Sequence, residues 1–313
     1  MTSVPEHTPK LRLGTRQSPL AMAQALEARE RLCAVHGWNA EDIELVPVLA
    51  SGDRIQDRAL ADIGGKALWT RELDLWLAEG RIDAAVHSMK DVETLRPDSL
   101  TIAAILPRAD KADVLLGAPS IVGLPRGATI GTSAPRRAAQ LLSRRPDCRV
   151  VTFRGNVATR QRKLAEGEVD ATFLAAAGLD RLGERGIGTR LDPQDWLPAP
   201  AQAAIGIECR RDADEVRNWL SAIDHAPSHA EVMAERALLN ALGGSCHSAI
   251  ACLTQREDQD LSIRAAIFSP NGSEKIEGYT RFAFGDKEAP QALGRSLLAQ
   301  ASAQLRATFA GAA

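Results

Sequence analysis

Five arginines stand where strand-like segments give way to helix starts. Arg16 precedes Ser18-Pro19, Arg136 and Arg137 follow Gly131-Thr132-Ser133, and Arg154 and Arg160 flank Gly155-Asn156. A cation at a helix start opposes the helix dipole, so these side chains gain nothing locally. Beside the free N–H groups of helix starts they instead build an anion site. Guanidinium forks take carboxylates two oxygens at a time, so the expected ligand carries several carboxylates or phosphates. Read one at a time, each arginine is equally well a solvated surface charge. Their shared position at strand ends favours the site.

Two other segments carry reactive groups. Ser88-Met89-Lys90-Asp91 closes a short apolar run, Asp83 to His87. Ligands of open parallel sheets bind beyond the carboxyl ends of the strands. A carboxylate there among cations stays ionised and can stabilise a developing cation or accept a proton. The plainer alternative is that Asp91 only pairs with Lys90 or caps a turn. His87 reads as a hydrogen-bonded core histidine rather than a base. The second segment is Leu242-Gly-Gly-Ser-Cys-His247, a glycine-rich loop whose Cys246 suits nucleophilic or covalent attachment chemistry, though on local sequence it is equally well an unreactive loop cysteine. With only His247 and Cys252 nearby and no CxxC pair, no metal is expected. Cys252 lies in a strand-like run and is expected to be buried.

The elements that must position these groups alternate. Leu11 to Thr15 reads as a strand. A helix capped by Ser18-Pro19 runs to about Val35 and stops at Gly37. Ile43 to Leu49 is the next strand. Gly64-Gly65 introduces a helix with Trp69, Leu73, Trp76 and Leu77 on one face, ended by Gly80. This alternation predicts a largely parallel α/β sheet. The pattern breaks between Pro107 and Asp113 and restarts with a strand at 128–131. A helix begun by Thr132-Ser133-Ala-Pro135, a strand at 149–153, a helix capped by Asn156 and a strand at 170–176 follow. Leu197 to Gln202 is a Pro/Ala-rich return, and Ala204 to Glu208 reads as one more strand of the first sheet. A helix from about Glu231 to Leu242 opens an α+β remainder. The expected division is a leader at 1–10, a first domain of 11–107 with 201–224, a second of 108–200 and a third of 225–313.

Composition narrows the function classes. The chain has 313 residues, 45% apolar and 25% charged, enough to bury large cores without disulfides or metals. Its net charge is −2 and aromatic residues are 4%, which argues against nucleic acid as the anion. The first residues lack a signal-peptide pattern, and no run of about eighteen apolar residues suggests a spanning helix. Five scattered cysteines read as reduced cytoplasmic thiols. No dinucleotide, Walker, HExxH or GxSxG motif occurs. From the residues alone, the chain is a two-lobed α/β binder of a polyanionic small molecule with one candidate carboxylate and one candidate thiol.

The segments LRLGTRQSPLAMAQA, GGKALWTRELDLWL, DAAVHSMKDV, IGTSAPRR, FRGNVATRQRKL, AAAGLDRLG, GIECR and AERALLNALGGSC occur in order between residues 11 and 252. Together they closely resemble the porphobilinogen deaminase (hydroxymethylbilane synthase) family. The resemblance implies two lobes of the type II periplasmic-binding fold and a smaller C-terminal α+β domain that carries the cofactor. It implies a dipyrromethane cofactor joined by a thioether to Cys246. It implies that Asp91 is the catalytic carboxylate, holding positive charge on pyrrole nitrogens as ammonia leaves. Arg16, Arg136, Arg137, Arg154, Arg160 and Arg181 align with the arginines that bind acetate and propionate groups. Ser18, Asp53, Lys66, Lys90, Thr132 and Gln202 align with other cleft positions. The implied activity is that of a transferase of haem and other tetrapyrrole biosynthesis, condensing four porphobilinogen molecules; a cytoplasmic monomer is the family expectation.

Some positions depart from the family's usual residues. Asp62 stands in place of a lysine, Trp69 in place of a phenylalanine, and Ala134-Pro135 in place of serine and leucine. Ala201 and Ala203 stand in place of glycines, expected to stiffen the return connection, and Ala249 in place of a proline. The competing reading is a non-catalytic cytosolic carboxylate-binding module of the periplasmic-binding type. Cys246 discriminates, since a sensor has no use for an attached pyrrole pair. Nucleic-acid binding is the third reading and predicts steep salt dependence.

Overall fold

The computed structural model describes residues 8–48, 70–244 and 248–309. The first sheet grows from buried apolar runs. In β1 (Leu11–Arg16) Leu11 and Leu13 are fully buried, as are Ala84 and Ala85 of β3 (Ala84–Ser88). Helix α1 (Pro19–His36) starts where Ser18 Oγ accepts the Ala21 N–H at 3.2 Å, with Pro19 in the first turn. Its inward face is Ala21, Gln24, Ala25, Ala28 and Leu32, at helical spacing. It ends at Gly37, whose φ of 67° is the left-handed turn that glycine makes at least cost.

With β2 (Ile43–Val48), β4 (Leu100–Ile105) and β10 (Ile205–Arg210), the strand order is β2-β1-β3-β10-β4. β1 is parallel to β2 and β3, whereas β10 is antiparallel to both β3 and β4. The second sheet holds β5 (Asp113–Leu116), β6 (Thr129–Gly131), β7 (Arg149–Val151), β8 (Ala171–Ala175) and β9 (Thr189–Arg190) in the order β7-β6-β8-β5-β9. Here β5 is the antiparallel strand, between β8 and β9. Both sheets thus share one order, three parallel strands, one inserted antiparallel strand and an outer strand, and the inserted strand lies next to the crossing between them. This is the two-lobed, type II periplasmic-binding arrangement. The remaining helices of these lobes are α2 (Arg71–Ala78), α3 (Pro135–Arg144), α4 (Val157–Ala165), α5 (Ala176–Arg181) and α6 (Asp214–Ser221).

The third sheet is an antiparallel meander of β11 (Ile250–Glu257), β12 (Asp260–Phe268) and β13 (Lys275–Ala283). Helices α7 (Ala226–Leu242) and α8 (Glu288–Gln300) cover one face, packing Leu238, Leu242, Leu293 and Leu297 on Ile263 and Ile267. A short α9 (Ala303–Ala307) follows. The other face, with Ala251, Leu253 and Phe268, packs on Ala139 of α3 and on Leu197. A Cβ on Gly294 would come within 3.0 Å of the Leu238 carbonyl, so glycine permits the close α7–α8 approach.

Several elements differ from the sequence-based expectation. The sheets are mixed rather than largely parallel, because the chain crosses twice and each crossing delivers an antiparallel strand. β4 and β5 flank the first crossing, where the periodicity breaks; β5 is buried at all four positions and β4 has three consecutive half-buried residues, so neither shows an alternation to read. Helix α3 has Ala134 as its N-cap, without a side-chain cap. Ser133 Oγ accepts the Phe153 N–H instead, and Thr132 Oγ1 accepts that of Ala134. Helix α7 begins at Ala226, well before Glu231, capped by the His225 ring. Cys252 is fully buried, as expected. The Gly64-Gly65 helix start, Asp62 and Trp69 lie outside the described residues.

The return crossing holds two alanines in left-handed backbone, Ala201 at φ 57° and Ala203 at φ 70°. These are the alanines at positions where the family resemblance implies glycine. Left-handed backbone costs a residue with a Cβ ~1–2 kcal/mol, and glycine's freer unfolded chain returns ~0.4–1 kcal/mol of that difference. The Ala201 methyl packs with Met89, Val92 and Val232, whereas Ala203 belongs to no such cluster. Ala203→Gly is therefore expected to stabilise the protein by about 0.5 kcal/mol. Ala201→Gly, which also empties a methyl site, should be neutral or slightly destabilising; chemical denaturation measures both.

Candidate functional site

Asp91 lies in a single 3-10 turn, Met89–Asp91, directly after β3. Its side chain is about one-third exposed, and Arg16 at the end of β1 places Nη1 3.9 Å from Oδ2. These two residues share a pocket of about 100 Å³ with Ser18, Gln24, Ser88 and Lys90. The Ser18 hydroxyl serves as the α1 cap while also lining the pocket. Gln24 reaches from α1 to the Ser88 hydroxyl, donating to it at 2.8 Å and accepting from it at 3.1 Å. This pair orders the pocket wall beside Asp91.

His87 is nearly fully buried beneath the pocket. Its Nε2 lies 3.4 Å from Glu208 Oε2 on β10, a contact without a hydrogen bond. Glu208 also receives a two-point contact from Arg96, at 3.0 and 2.7 Å. Burial pushes the Glu208 carboxyl up, and His87 and Arg96 more than reverse this, leaving it at about 2. Arg96 also donates to Glu93 at 2.7 Å and Asp74 at 2.5 Å, so the segment after Asp91 is held from below by a charged network.

The second lobe supplies the facing cations. Arg136 and Arg137, in the first turn of α3, are 4% and 6% exposed and converge on Asp113, which is fully buried. Arg136 Nη1 donates to Oδ2 at 2.5 Å and Arg137 Nη2 to Oδ1 at 2.7 Å. Trp196 Nε1 and Gln202 Nε2 complete the carboxylate's shell at 2.8 and 3.0 Å. Burial pushes the Asp113 carboxyl up, and the two guanidinium groups outweigh it, holding the carboxyl well below its usual range. Asp113 therefore makes two adjacent buried arginines tenable at a helix start, where the dipole alone opposes them. Their Nη groups are partly spent on it, on Gln202 Oε1 and on the Phe173 carbonyl. Their Nε–H groups are buried and have no partner among the described residues. An unsatisfied buried donor costs on the order of 1–3 kcal/mol, so two of them side by side mark a place for acceptor oxygens.

Arg160 on α4 donates to the Gly155 carbonyl at 3.0 Å. Burial, then repulsion from Arg137 and Arg154, lowers its pKa to about 10. Arg154 itself lies between β7 and α4. Burial also lowers the Lys90 pKa; Asp91 opposes this, and Arg137 and Arg136 reinforce it. The first-lobe lysine thus lies within electrostatic reach of the second-lobe arginines. Arg181, at the end of α5, donates to Glu27 of α1 at 3.4 Å and to the Ala203 carbonyl at 3.1 Å, so it spans the lobes at the return crossing. Gln202, in the same crossing, touches Lys111, Asp113 and Arg136. Thr132 is buried at the end of β6, its hydroxyl bonded to the Ala134 N–H.

The structure therefore brings together Arg16, Ser18, Lys90 and Asp91 in one pocket and Arg136, Arg137, Arg154 and Arg160 in a facing cluster. Arg181 and Gln202 sit at the seam. Asp53, Lys66 and Cys246 lie outside the described residues. Sequence reading missed Asp113, Gln24, Glu208 and Arg96. Asp113 sits where the periodicity breaks, and its only signal is an acid in a four-residue apolar strand, DVLL.

The fold and site thus define a two-lobed α/β protein with a cluster of cations, one carboxylate about one-third exposed and orphaned arginine donors. Comparisons with known proteins narrow this class. Residues 11–218 match the family model "Porphobilinogen deaminase, dipyromethane cofactor binding domain", and residues 229–303 match "Porphobilinogen deaminase, C-terminal domain". The porphobilinogen deaminase of Sphingopyxis alaskensis is 53% identical over 306 residues, covering 96% of each chain. That of Paracoccus denitrificans is 47% identical over 279 residues, covering 88% of this chain and 89% of its own. The chloroplastic enzyme of Oryza sativa subsp. japonica is 46% identical over 273 residues, covering 85% and 76%. The chain belongs to the porphobilinogen deaminase family. Among solved structures, the BvgS periplasmic VFT2 domain of Bordetella pertussis matches 72% of this chain and 92% of its own, at 19% identity and a TM-score of 0.41. Among the described residues, no helix is long and apolar enough to cross a membrane.

Proposed function

We propose that this protein is a hydroxymethylbilane synthase. It deaminates porphobilinogen and joins four molecules head to tail on a dipyrromethane attached through a thioether to Cys246, then releases hydroxymethylbilane and ammonia. The observation that carries this reading is one carboxylate about one-third exposed, Asp91, beside Arg16 and Lys90, together with the buried Arg136–Arg137 pair of the second lobe. Porphobilinogen and its oligomers carry two carboxylates per ring, which accounts for so many guanidinium groups.

The residues present fit a carboxylate-bearing cofactor, because the buried Nε–H groups of Arg136 and Arg137 lack acceptors. When bound, dipyrromethane supplies the nucleophilic pyrrole carbon to which the first substrate is joined. The chain's own groups do the rest. Arg16, Arg154, Arg160 and Arg181 hold carboxylates, with Ser18, Asp53, Lys66, Lys90, Thr132 and Gln202 lining the cleft. The Asp91 carboxylate stabilises the positive charge on the pyrrole nitrogen as ammonia departs.

The cysteine inventory supports Cys246 as the anchor. Burial and then Glu235 push the Cys252 thiol far up, and burial raises those of Cys148 and Cys209, the latter to about 11, so none of the three is a ready nucleophile. The three separate sheets support the division into 11–107 with 201–224, 108–200 and 225–313. In this reading the enzyme is a cytoplasmic monomer.

The test is incubation of the purified chain with porphobilinogen, following its disappearance and the ammonia formed. Intact mass under denaturing conditions should exceed the sequence mass by a linked pyrrole pair, on the peptide containing Cys246. Cys246→Ser should show the bare sequence mass and no turnover. A normally loaded Cys246→Ser protein would move the anchor elsewhere, and wild-type protein that leaves porphobilinogen intact would refute the activity.

A further inference from the structure

Helix α7 does two jobs with consecutive residues. Glu235, fully buried, accepts Arg108 at 2.8 and 2.9 Å and the Ala201 N–H at 2.5 Å, so it ties both crossings to the helix. Arg236, 6% exposed, turns towards the first lobe. There Nη2 donates to the Glu93 and Thr94 carbonyls at 2.6 and 2.9 Å, and Nη1 to the Val92 carbonyl at 3.3 Å. Those three carbonyls directly follow Asp91. Thr94 closes the link from the other side, its hydroxyl donating to the Gly244 carbonyl at 3.1 Å. Gly244 lies just past the α7 end, where Gly243 turns left-handed at φ 62° and the Gly244 N–H returns to Leu239. In sequence Cys246 follows two residues later.

Among the described residues, the hydrogen bonds of Arg236 all go to backbone carbonyls. Burial, then repulsion from Arg96, lowers its pKa to about 10. A buried guanidinium without a bonded carboxylate is a costly way to hold three carbonyls unless their position matters. The Asp91 segment is already anchored from below by Arg96 through Glu93, so general stability there does not need a second cation. What Arg236 adds is a fixed register between that segment and the end of α7.

We propose that Arg236 is a positioning residue for the reaction, fixing the Asp91 segment against the helix end that leads into the cofactor-bearing loop, with Thr94 as its relay. This rests on the hydroxymethylbilane synthase reading. A misplacement of about 1 Å between a catalytic group and its reacting centre can cost a hundredfold in rate, and the loss falls on turnover rather than binding.

The test uses full-length wild-type, Arg236→Gln, Thr94→Val and the double variant. Porphobilinogen consumption is normalised to the cofactor-loaded fraction from intact mass. Per loaded molecule, Arg236→Gln should lower kcat by about 10- to 100-fold with KM changed less than about twofold. Thr94→Val should lower kcat less, and the double variant should be no worse than Arg236→Gln, because both act on one link. Wild-type kcat in loaded Arg236→Gln, or an effect confined to KM or to the melting temperature, overturns the proposal. If Arg236→Gln does not fold or load, Thr94→Val decides: a lowered kcat supports the link and an unchanged kcat overturns it. A wild-type protein with no turnover sinks the functional reading itself and is seen in the same assay.

Discussion

Asp91→Ala yields a folded, cofactor-loaded protein whose kcat falls by about 10²–10³-fold, a loss of roughly 3–4 kcal/mol of transition-state stabilisation. The carboxylate is the group in the pocket that can face a developing cation, since Arg16 and Lys90 beside it are themselves cationic. Its removal therefore exposes the forming charge to like charges as well as removing the stabilising one. The fold should barely respond. Asp91 is partly exposed, and its ion pair with Arg16 at 3.9 Å is of the solvent-screened kind, worth about 0–1 kcal/mol. Steady-state kinetics per loaded molecule, beside a thermal melt, checks both halves. Activity within threefold of wild type would remove Asp91 from the mechanism.

Asp113→Ala is the largest expected stability effect, about 3–5 kcal/mol. The side chain is fully buried and takes hydrogen bonds from Arg136, Arg137, Trp196 and Gln202. Without it two guanidinium groups lie side by side, buried and uncompensated, at a helix start. The damage should extend to the crossing, because Gln202 loses one of its anchors, and to cofactor loading, because Arg136 and Arg137 lose their orientation. The pH dependence follows from the depressed folded pKa. A carboxyl held below its unfolded value of about 3.9 stabilises the fold fully above that pH, and the stabilisation is lost as pH falls through the folded pKa. Glu208, at about 2 in the folded protein against an ordinary 4.5, acts in the same direction between those values. Urea midpoints at pH 7 and pH 3 should therefore show a wild-type loss on acidification that is smaller in Asp113→Asn. An equal loss in both would mean that Asp113 does not carry the charge assigned to it.

Much of the site was legible because the signals are local. Ser18-Pro19 and Gly37 delimit α1 by capping chemistry that acts within one turn, and Asn156 caps α4 in the same way. The alternation of apolar segments marked β1, β3, β6 and β8, and with them the strand ends where Arg16, Asp91 and the Arg136–Arg137 pair stand. The HSMKD, FRGN and glycine–cysteine segments carried the family, and the comparisons agree with it.

What the sequence could not reveal depends on which distant segments meet. β4 and β5 escaped notice because neither alternates between buried and exposed positions, and their antiparallel setting exists only after the chain has crossed between lobes. Ala134 took the α3 cap because Ser133 was drawn to the Phe153 N–H, a bond between residues far apart in sequence. Ala201 and Ala203 are ordinary in sequence, and only the crossing forces them into left-handed backbone. Asp113 has no local motif, and nothing in the AERALLNALGGSC segment singles out Arg236. Their roles arise because burial makes each charge seek partners brought by other elements. The sequence by itself determined which charges and which reactive groups the protein has, through short-range chemistry. The tertiary structure decided which charges neutralise one another and which are left facing the cleft, because that balance is set by burial and by contacts between lobes.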